Sequence, residues 1–266
     1  MGDRVAIPFI LSCGACQFCQ KGRVTICERQ EQPGFTFIGS YAEYVSVPRA
    51  DRNLTKLPDN ISFVEAAALG CRTTTSFRAV VQQGKLRAGQ KVAVFGCGGL
   101  GLAAIMIAKA CGAGEIVAFD VRKEALEMAE KIEPSVKTVL MEREDRDDAP
   151  KDFDLSIECS GFAAACESAV KVLKPGGRMV QAGLCLGSQV PLVPMGLVTG
   201  REIEIVGSHG FDGANDMQTI LNLVSAGLLQ PSKLVEKEVS LQEGVQILQN
   251  MSTTSPVGVV MITKFR

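Results

Sequence analysis

Three regimes of hydrophobic patterning follow one another along the chain. Residues 1–70 read as short strands and turns. Arg4–Ile10 and Tyr41–Val47 have the strand-like, near-alternating pattern of half-buried extended segments, with a cysteine- and glycine-rich loop between them. From residue 72 to 207 short apolar runs exchange with helical periodicity. Strands are expected at Lys91–Phe95, Glu115–Asp120, Phe153–Glu158, Arg178–Gly183 and Ile203–Gly207. Helices are expected at Leu100–Cys111, ending at Gly112, at Arg122–Ile132, and at Phe162–Leu173, stopped by Pro175-Gly176-Gly177. Strand–helix alternation with short connections predicts a parallel sheet with right-handed crossovers. Residues 208–266 predict helices near Asn215–Ala226 and Leu241–Asn250 and a final strand, Gly258–Thr263. The charge run Glu142–Lys151 predicts a solvated loop, and Val190–Gly207 an apolar, strand-like sheet edge suited to pairing across a two-fold axis.

Composition narrows the class. Apolar residues are 46% and charged residues 21% of the 266, which excludes a disordered or fibrous chain. Lys plus Arg number 28 against 29 Asp plus Glu, a net charge of -1, so no nucleic-acid partner is expected. No apolar stretch is long enough to cross a membrane, and Asp3 and Arg4 stand where a signal peptide would be apolar. A cytoplasmic protein without a membrane partner is expected.

The turn Gly96-Cys97-Gly98-Gly99-Leu100-Gly101 fits G-x-G-x-x-G, after an expected strand and at the start of an expected helix. In that context Gly96 permits the tight turn, Gly98 admits a pyrophosphate close to the backbone, and Gly101 lets helix and strand pack closely. Asp120 ends the next strand, nineteen residues after Gly101, where a carboxylate accepts hydrogen bonds from ribose hydroxyls. Its charge would repel a 2′-phosphate and favour NAD over NADP, a preference that Arg122 could soften. Strand ends at Ser160-Gly161 and Ala182-Gly183-Leu184 should line the same crevice.

Ten cysteines are many for a reducing compartment, and four of them fall at Cys13, Cys16, Cys19 and Cys27. This C-x2-C-x2-C-x7-C spacing can wrap one tetrahedral zinc with no open position, a structural site. Iron–sulfur ligation and a pair of disulfides are the other readings of the spacing.

Taken together, the motifs resemble the zinc-containing medium-chain alcohol dehydrogenases. The order matches from Gly2 to about Phe265: the GDRV strand, the four-cysteine lobe, SYAEYVSVP, the Gly70-Cys71 element, the GCGGLG turn and the strand ending in Asp120. The resemblance implies an α/β fold, a Rossmann dinucleotide-binding domain at 73–207 plus a partial, β-rich GroES-like catalytic domain at 1–72 and 208–266. It implies reversible oxidation of an alcohol to an aldehyde or ketone with NAD, a structural zinc in the lobe, and a homodimer or homotetramer. It also implies that Cys71 is one ligand of a catalytic zinc, that Thr75 and Leu100 touch the nicotinamide ring, and that Ser208 lies near its carboxamide.

The sequence departs from the family in one large respect. Members carry several dozen residues before the GDRV strand, including a catalytic cysteine and a GHE element whose histidine is the second zinc ligand. The one histidine here, His209, does not match a ligand position, and Pro256-Val257-Gly258-Val259 lacks the basic residue that many members direct to the pyrophosphate. A catalytic zinc needs about three protein ligands, and Cys71 alone matches. The expectation is therefore a zinc-type dehydrogenase shortened at its N-terminus, or else a nucleotide- and zinc-binding module without turnover. The lobe and Cys71 argue against a zinc-independent quinone reductase of the same superfamily.

Overall fold

The computed structural model describes residues 2–141, 150–185, 190–251 and 257–265. The expected loop Glu142–Lys151 falls, for residues 142–149, outside the described residues. The chain forms two compact units, one of Met1–Thr74 with Gly210–Arg266 and one of Thr75–His209. Among the described residues the strands are β1 (Val5–Ala6), β2 (Thr55–Lys56), β3 (Lys91–Phe95), β4 (Glu115–Asp120), β5 (Lys137–Leu140), β6 (Phe153–Glu158), β7 (Leu173–Gln181), β8 (Glu204–Gly207), β9 (Val235–Ser240) and β10 (Val259–Lys264).

In the unit of residues 75–209, six strands form one parallel sheet in the order β5-β4-β3-β6-β7-β8. The order reverses between β3 and β6, and at such a switch point a crevice opens beyond the carboxyl ends of the strands. Inside β3 and β4 every residue between the two ends is apolar, as expected where helices cover both faces of a parallel sheet. Phe95 and Phe119 stack with ring centroids 4.4 Å apart, and Phe119 meets Phe153 edge-on at 6.0 Å. The helix Gly99–Ala110 is buried without interruption from Gly101 to Ala108. Helix Lys123–Ile132 buries only Ala125, Leu126, Ala129 and Ile132, the single stripe expected of a surface helix.

The other unit is held by short ladders and capped helices. β1 and β2 pair antiparallel over two residues, and β9 and β10 run parallel. Arg4 extends the first contact, donating to the carbonyls of Pro58 and Asp59 at 3.1 and 3.2 Å and to that of Ile61, and lying over the Phe63 ring. Helices Phe63–Ala68 and Leu241–Asn250 each open on a capping box, Ser62 with Glu65 and Ser240 with Glu243.

Several expectations need correction. The extended run Arg4–Ile10 contributes only Val5–Ala6 to a ladder, and Tyr41–Val47 forms no strand, with Tyr41 and Tyr44 exposed. An alternating pattern makes a strand only where another backbone pairs with it. Pro175-Gly176-Gly177 does not end a helix: the helix stops at Lys171, and the triplet lies within β7, where the register jumps from Leu173 to Arg178. Val190–Gly207 is not one strand, because Met195–Gly200 is helical and only Glu204–Gly207 pairs with β7. The four-residue strand β5 and the helix Phe63–Ala68 were not expected, although S-x-x-E at Ser62–Glu65 marks that helix start.

Phe119 is the test of this core. Phe119→Ala should cost about 3–5 kcal/mol of unfolding free energy, read as a lower urea midpoint with an unchanged slope.

Candidate dinucleotide site and metal centre

At the end of β3 the chain turns through Gly96, whose φ of +89° suits glycine. Its N–H donates to the Phe119 carbonyl at 2.8 Å. Gly98 is the extended N-cap of the helix Gly99–Ala110, and its carbonyl accepts the Leu102 N–H at 2.9 Å. A side chain on Gly101 would strike the carbonyl oxygen of Gly96, whereas one on Gly98 would enter open space. The open flank of Gly98, beside a helix N-terminus, leaves room for an anionic group such as a pyrophosphate to approach the backbone. The Ser76 hydroxyl donates to the Leu100 carbonyl at 2.7 Å, so Thr75, itself buried, is held beside the start of that helix.

Asp120 closes β4 with its carboxylate mostly buried. Oδ2 accepts the Cys97 N–H at 2.6 Å and Oδ1 accepts the Arg122 N–H at 2.8 Å, with Arg122 Nε 3.7 Å from the same oxygen. The carboxylate therefore clamps the glycine turn from the neighbouring strand. Each oxygen uses one N–H here and retains acceptor capacity for a ribose hydroxyl. The Cys97 thiol is pushed up to about 12 by burial and then by Asp120, so it packs rather than reacts.

Across the switch point, Ala182 and Gly183 donate their N–H groups to the Glu158 carbonyl at 2.9 and 2.8 Å, while Leu184 is exposed. The structure thus brings Gly96, Gly98, Gly99, Leu100, Gly101 and Asp120 together at one end of the sheet, with Ala182–Leu184 at the same end of β7. Glu158, fully buried at the end of β6, was missed. The one signal for it in the sequence is an acid at the end of the strand, as Asp120 closes β4.

In the other unit the sulfurs of Cys13, Cys16, Cys19 and Cys27 all lie within 4.8 Å of one another. Cys13 and Cys19 are 4.0 Å apart and Cys16 and Cys27 3.9 Å. No disulfide joins them. A tetrahedral ion with Zn–S bonds of about 2.3 Å sets its sulfurs close to this far apart. Backbone N–H groups already face the sulfurs: Ala15 and Cys16 toward Cys13, Cys13 and Arg29 toward Cys27, each at 3.4 Å. The Ala15 N–H holds the Cys13 thiol down to about 6, whereas burial pushes that of Cys19 up to about 11. Four soft donors with no fifth position fit a closed metal site.

Cys71 sits in the wide helical turn Leu69–Thr73, after Gly70 with its non-helical ψ of -153°, and is exposed. Among the described residues the four-cysteine lobe is the one group of three or more metal-binding side chains, so Cys71 belongs to no such group. His209 is exposed at the end of the dinucleotide unit.

Two family models match the chain: an alcohol dehydrogenase GroES-like domain over residues 1–59 and a zinc-binding dehydrogenase domain over residues 99–226. An alcohol dehydrogenase of Geobacillus stearothermophilus is 34% identical, covering 85% of this chain and 66% of that protein. D-xylulose reductase A of Aspergillus oryzae is 30% identical, covering 92% of this chain and 70% of its own length. This chain belongs to the zinc-containing medium-chain alcohol dehydrogenase family. It spans about two thirds of the length of these relatives. Its α/β fold, GroES-like and Rossmann-type, recurs in solved members of the family. Alcohol dehydrogenase TADH from Thermus sp. ATN1 superposes with a TM-score of 0.88 at 28% identity, covering 98% of this chain and 78% of that one. Acetophenone reductase of Geotrichum candidum NBRC 4597, solved with NAD, gives 0.83 at 25% identity, covering 99% and 74%. No helix among the described residues is long and apolar enough to cross a membrane.

Two checks address the metal lobe. Zinc-loaded protein should hold about one ion per chain at the four thiolates. Cys16→Ser should lower that content well below one and lower the melting temperature, by metal analysis and calorimetry on the same sample.

Proposed function

We propose that this dehydrogenase-family chain binds NAD in the crevice beyond β3, β4, β6 and β7. On this reading it carries the cofactor half of a zinc-type oxidoreductase that interconverts an alcohol and an aldehyde or ketone. The observation that carries this is the Asp120 carboxylate, holding the glycine turn at Cys97 while Gly98 stands open beside it. In this reading the helix start at Gly98–Gly101 holds the pyrophosphate. Asp120 takes the ribose hydroxyls. Thr75, Leu100, Ala182, Gly183 and Leu184 border the nicotinamide, with Ser208 toward its carboxamide. The bound cofactor supplies the hydride acceptor. The lobe Cys13, Cys16, Cys19 and Cys27 holds a structural zinc, which with four thiolates leaves no position for water or alcohol.

NAD is preferred to NADP on electrostatic grounds. Arg122 is already engaged with Asp120 through its backbone N–H and its guanidinium. A 2′-phosphate would meet the carboxylate before it met a free cation. A like-charge contact of this kind costs enough for NADH to bind at least about tenfold more tightly than NADPH. Fluorescence titration of both nucleotides measures this, and Asp120→Asn should narrow the ratio. Equal affinities for the unmodified protein would show that Arg122 cancels Asp120.

For the alcohol half these residues supply one family ligand, Cys71, where a catalytic zinc needs about three. That shortfall favours a second reading, in which the 266 residues form a nucleotide- and zinc-binding module without turnover of their own. The expected behaviour of the isolated polypeptide is dinucleotide binding with little or no alcohol oxidation. NADH absorbance with added alcohol and excess zinc reads this. Robust zinc-dependent turnover would overturn the second reading and require ligands beyond Cys71, with His209 the first to test.

A further inference from the structure

Asp120 has a counterpart across the switch point. Glu158 ends β6, the strand on the other side of β3, and is fully buried. Its Oε1 accepts the Ser160 N–H at 2.6 Å, the Ser160 hydroxyl, and the Gly161 N–H at 3.0 Å. Its Oε2 accepts the Gly161 N–H at 3.0 Å and Gln181 Nε2 at 2.6 Å. Every one of these groups is a donor, and all come from the two segments that follow β6 and close β7. The backbones there are packed against one another: a side chain on Gly161 would strike the Leu184 carbonyl, and one on Gly183 would strike the Gly161 amide and Glu158 itself.

A buried carboxylate is costly, and an apolar side chain of like volume would often fill such a space at less cost. What the carboxylate adds is direction, because an acceptor-only group fixes every N–H that points at it. Two polar atoms at this end of the sheet, Gln181 Oε1 and Ser208 Oγ, are buried without a hydrogen-bond partner. They are linked in turn, since the Ser208 N–H donates to the Gln181 carbonyl at 2.9 Å. Both belong to or adjoin the Gln181–Gly183 segment that the Glu158 carboxylate holds.

We propose that Glu158 is a positioning residue for the nicotinamide half of the cofactor, acting through Ser160–Gly161 and Gln181–Gly183. This rests on the dinucleotide reading above. A dinucleotide lies across the switch point with one mononucleotide on each side. Asp120 organises the adenosine side by holding Cys97, and Glu158 organises the other side by holding two strand-end loops. Being fully buried, Glu158 does not touch the cofactor.

The experiment titrates unmodified protein, Glu158→Gln and Gln181→Met with NADH and separately with AMP, which occupies only the adenosine side. In Glu158→Gln an amide NH2 must face either the Ser160 and Gly161 N–H groups or Gln181 Nε2. Flipping Gln181 does not relieve this, because its oxygen would then face the Gly183 carbonyl, now 2.7 Å from Nε2. Hydrogen bonds to a charged group are strong enough that NADH affinity should fall about tenfold or more, with AMP affinity unchanged within about twofold. Gln181→Met removes one donor and leaves the carboxylate in place, so it should show the same split at smaller size. It carries the test if Glu158→Gln does not fold. Parallel loss of NADH and AMP, or unchanged NADH affinity in a folded variant, overturns the proposal. Unmodified protein that binds neither nucleotide overturns the dinucleotide reading instead.

Discussion

A single atom-scale contact organises the dinucleotide unit. Any carbon attached at Gly101 would strike the Gly96 carbonyl oxygen, so the helix Gly99–Ala110 can lie this close to the end of β3 only because residue 101 is glycine. With the helix in place, its N-terminus points out of the strand ends and its next two turns are buried against the sheet. Gly98 then keeps one flank of backbone open, and Asp120 can reach the Cys97 amide. Had the helix been pushed away by one methyl group, the turn, the clamp and the open flank would all have been displaced together.

Acidic side chains do two kinds of work in this unit. Asp120 takes one backbone N–H on each carboxylate oxygen and keeps acceptor capacity on both. Glu158 is enclosed, and all its capacity goes to the loops around it. The sheet topology separates them, because the strand order reverses at β3 and sends β4 to one side and β6 to the other. An acid at the end of a strand thus holds the glycine turn in one half and two strand-end loops in the other.

The four-cysteine lobe is built on another principle. Its stability does not come from strands, since neighbouring residues form only single turns of helix. The thiols gather because the chain folds back through Lys21–Gly22 and Val24–Ile26, and backbone N–H groups turn toward the sulfurs. The buried core of this loop is small, Cys16, Cys19 and Cys27 with Phe18 and Val24 packed against them, and an ion held by the four thiolates would add cohesion there.

Much of the dinucleotide unit was legible in the residues themselves. Lys91–Phe95 and Glu115–Asp120 are strands as their apolar runs indicated, because strands covered on both faces leave a nearly continuous apolar signal, and Phe153–Glu158 is a strand although Asp154 and Ser156 interrupt its apolar residues. The glycine spacing and the position of Asp120 are local constraints, and local constraints can be read from a sequence. The cysteine spacing is of the same kind. Pairing partners are not: Tyr41–Val47 has a strand pattern and no strand, and β5 has little pattern and a place in the sheet, since a ladder depends on which distant backbone arrives. The surroundings of Glu158 belong to that second class. Ser160–Gly161 and Gln181–Gly183 are some twenty residues apart in the chain. Only the parallel pairing of β6 with β7 brings their donors to one carboxylate, and only burial makes satisfying it compulsory.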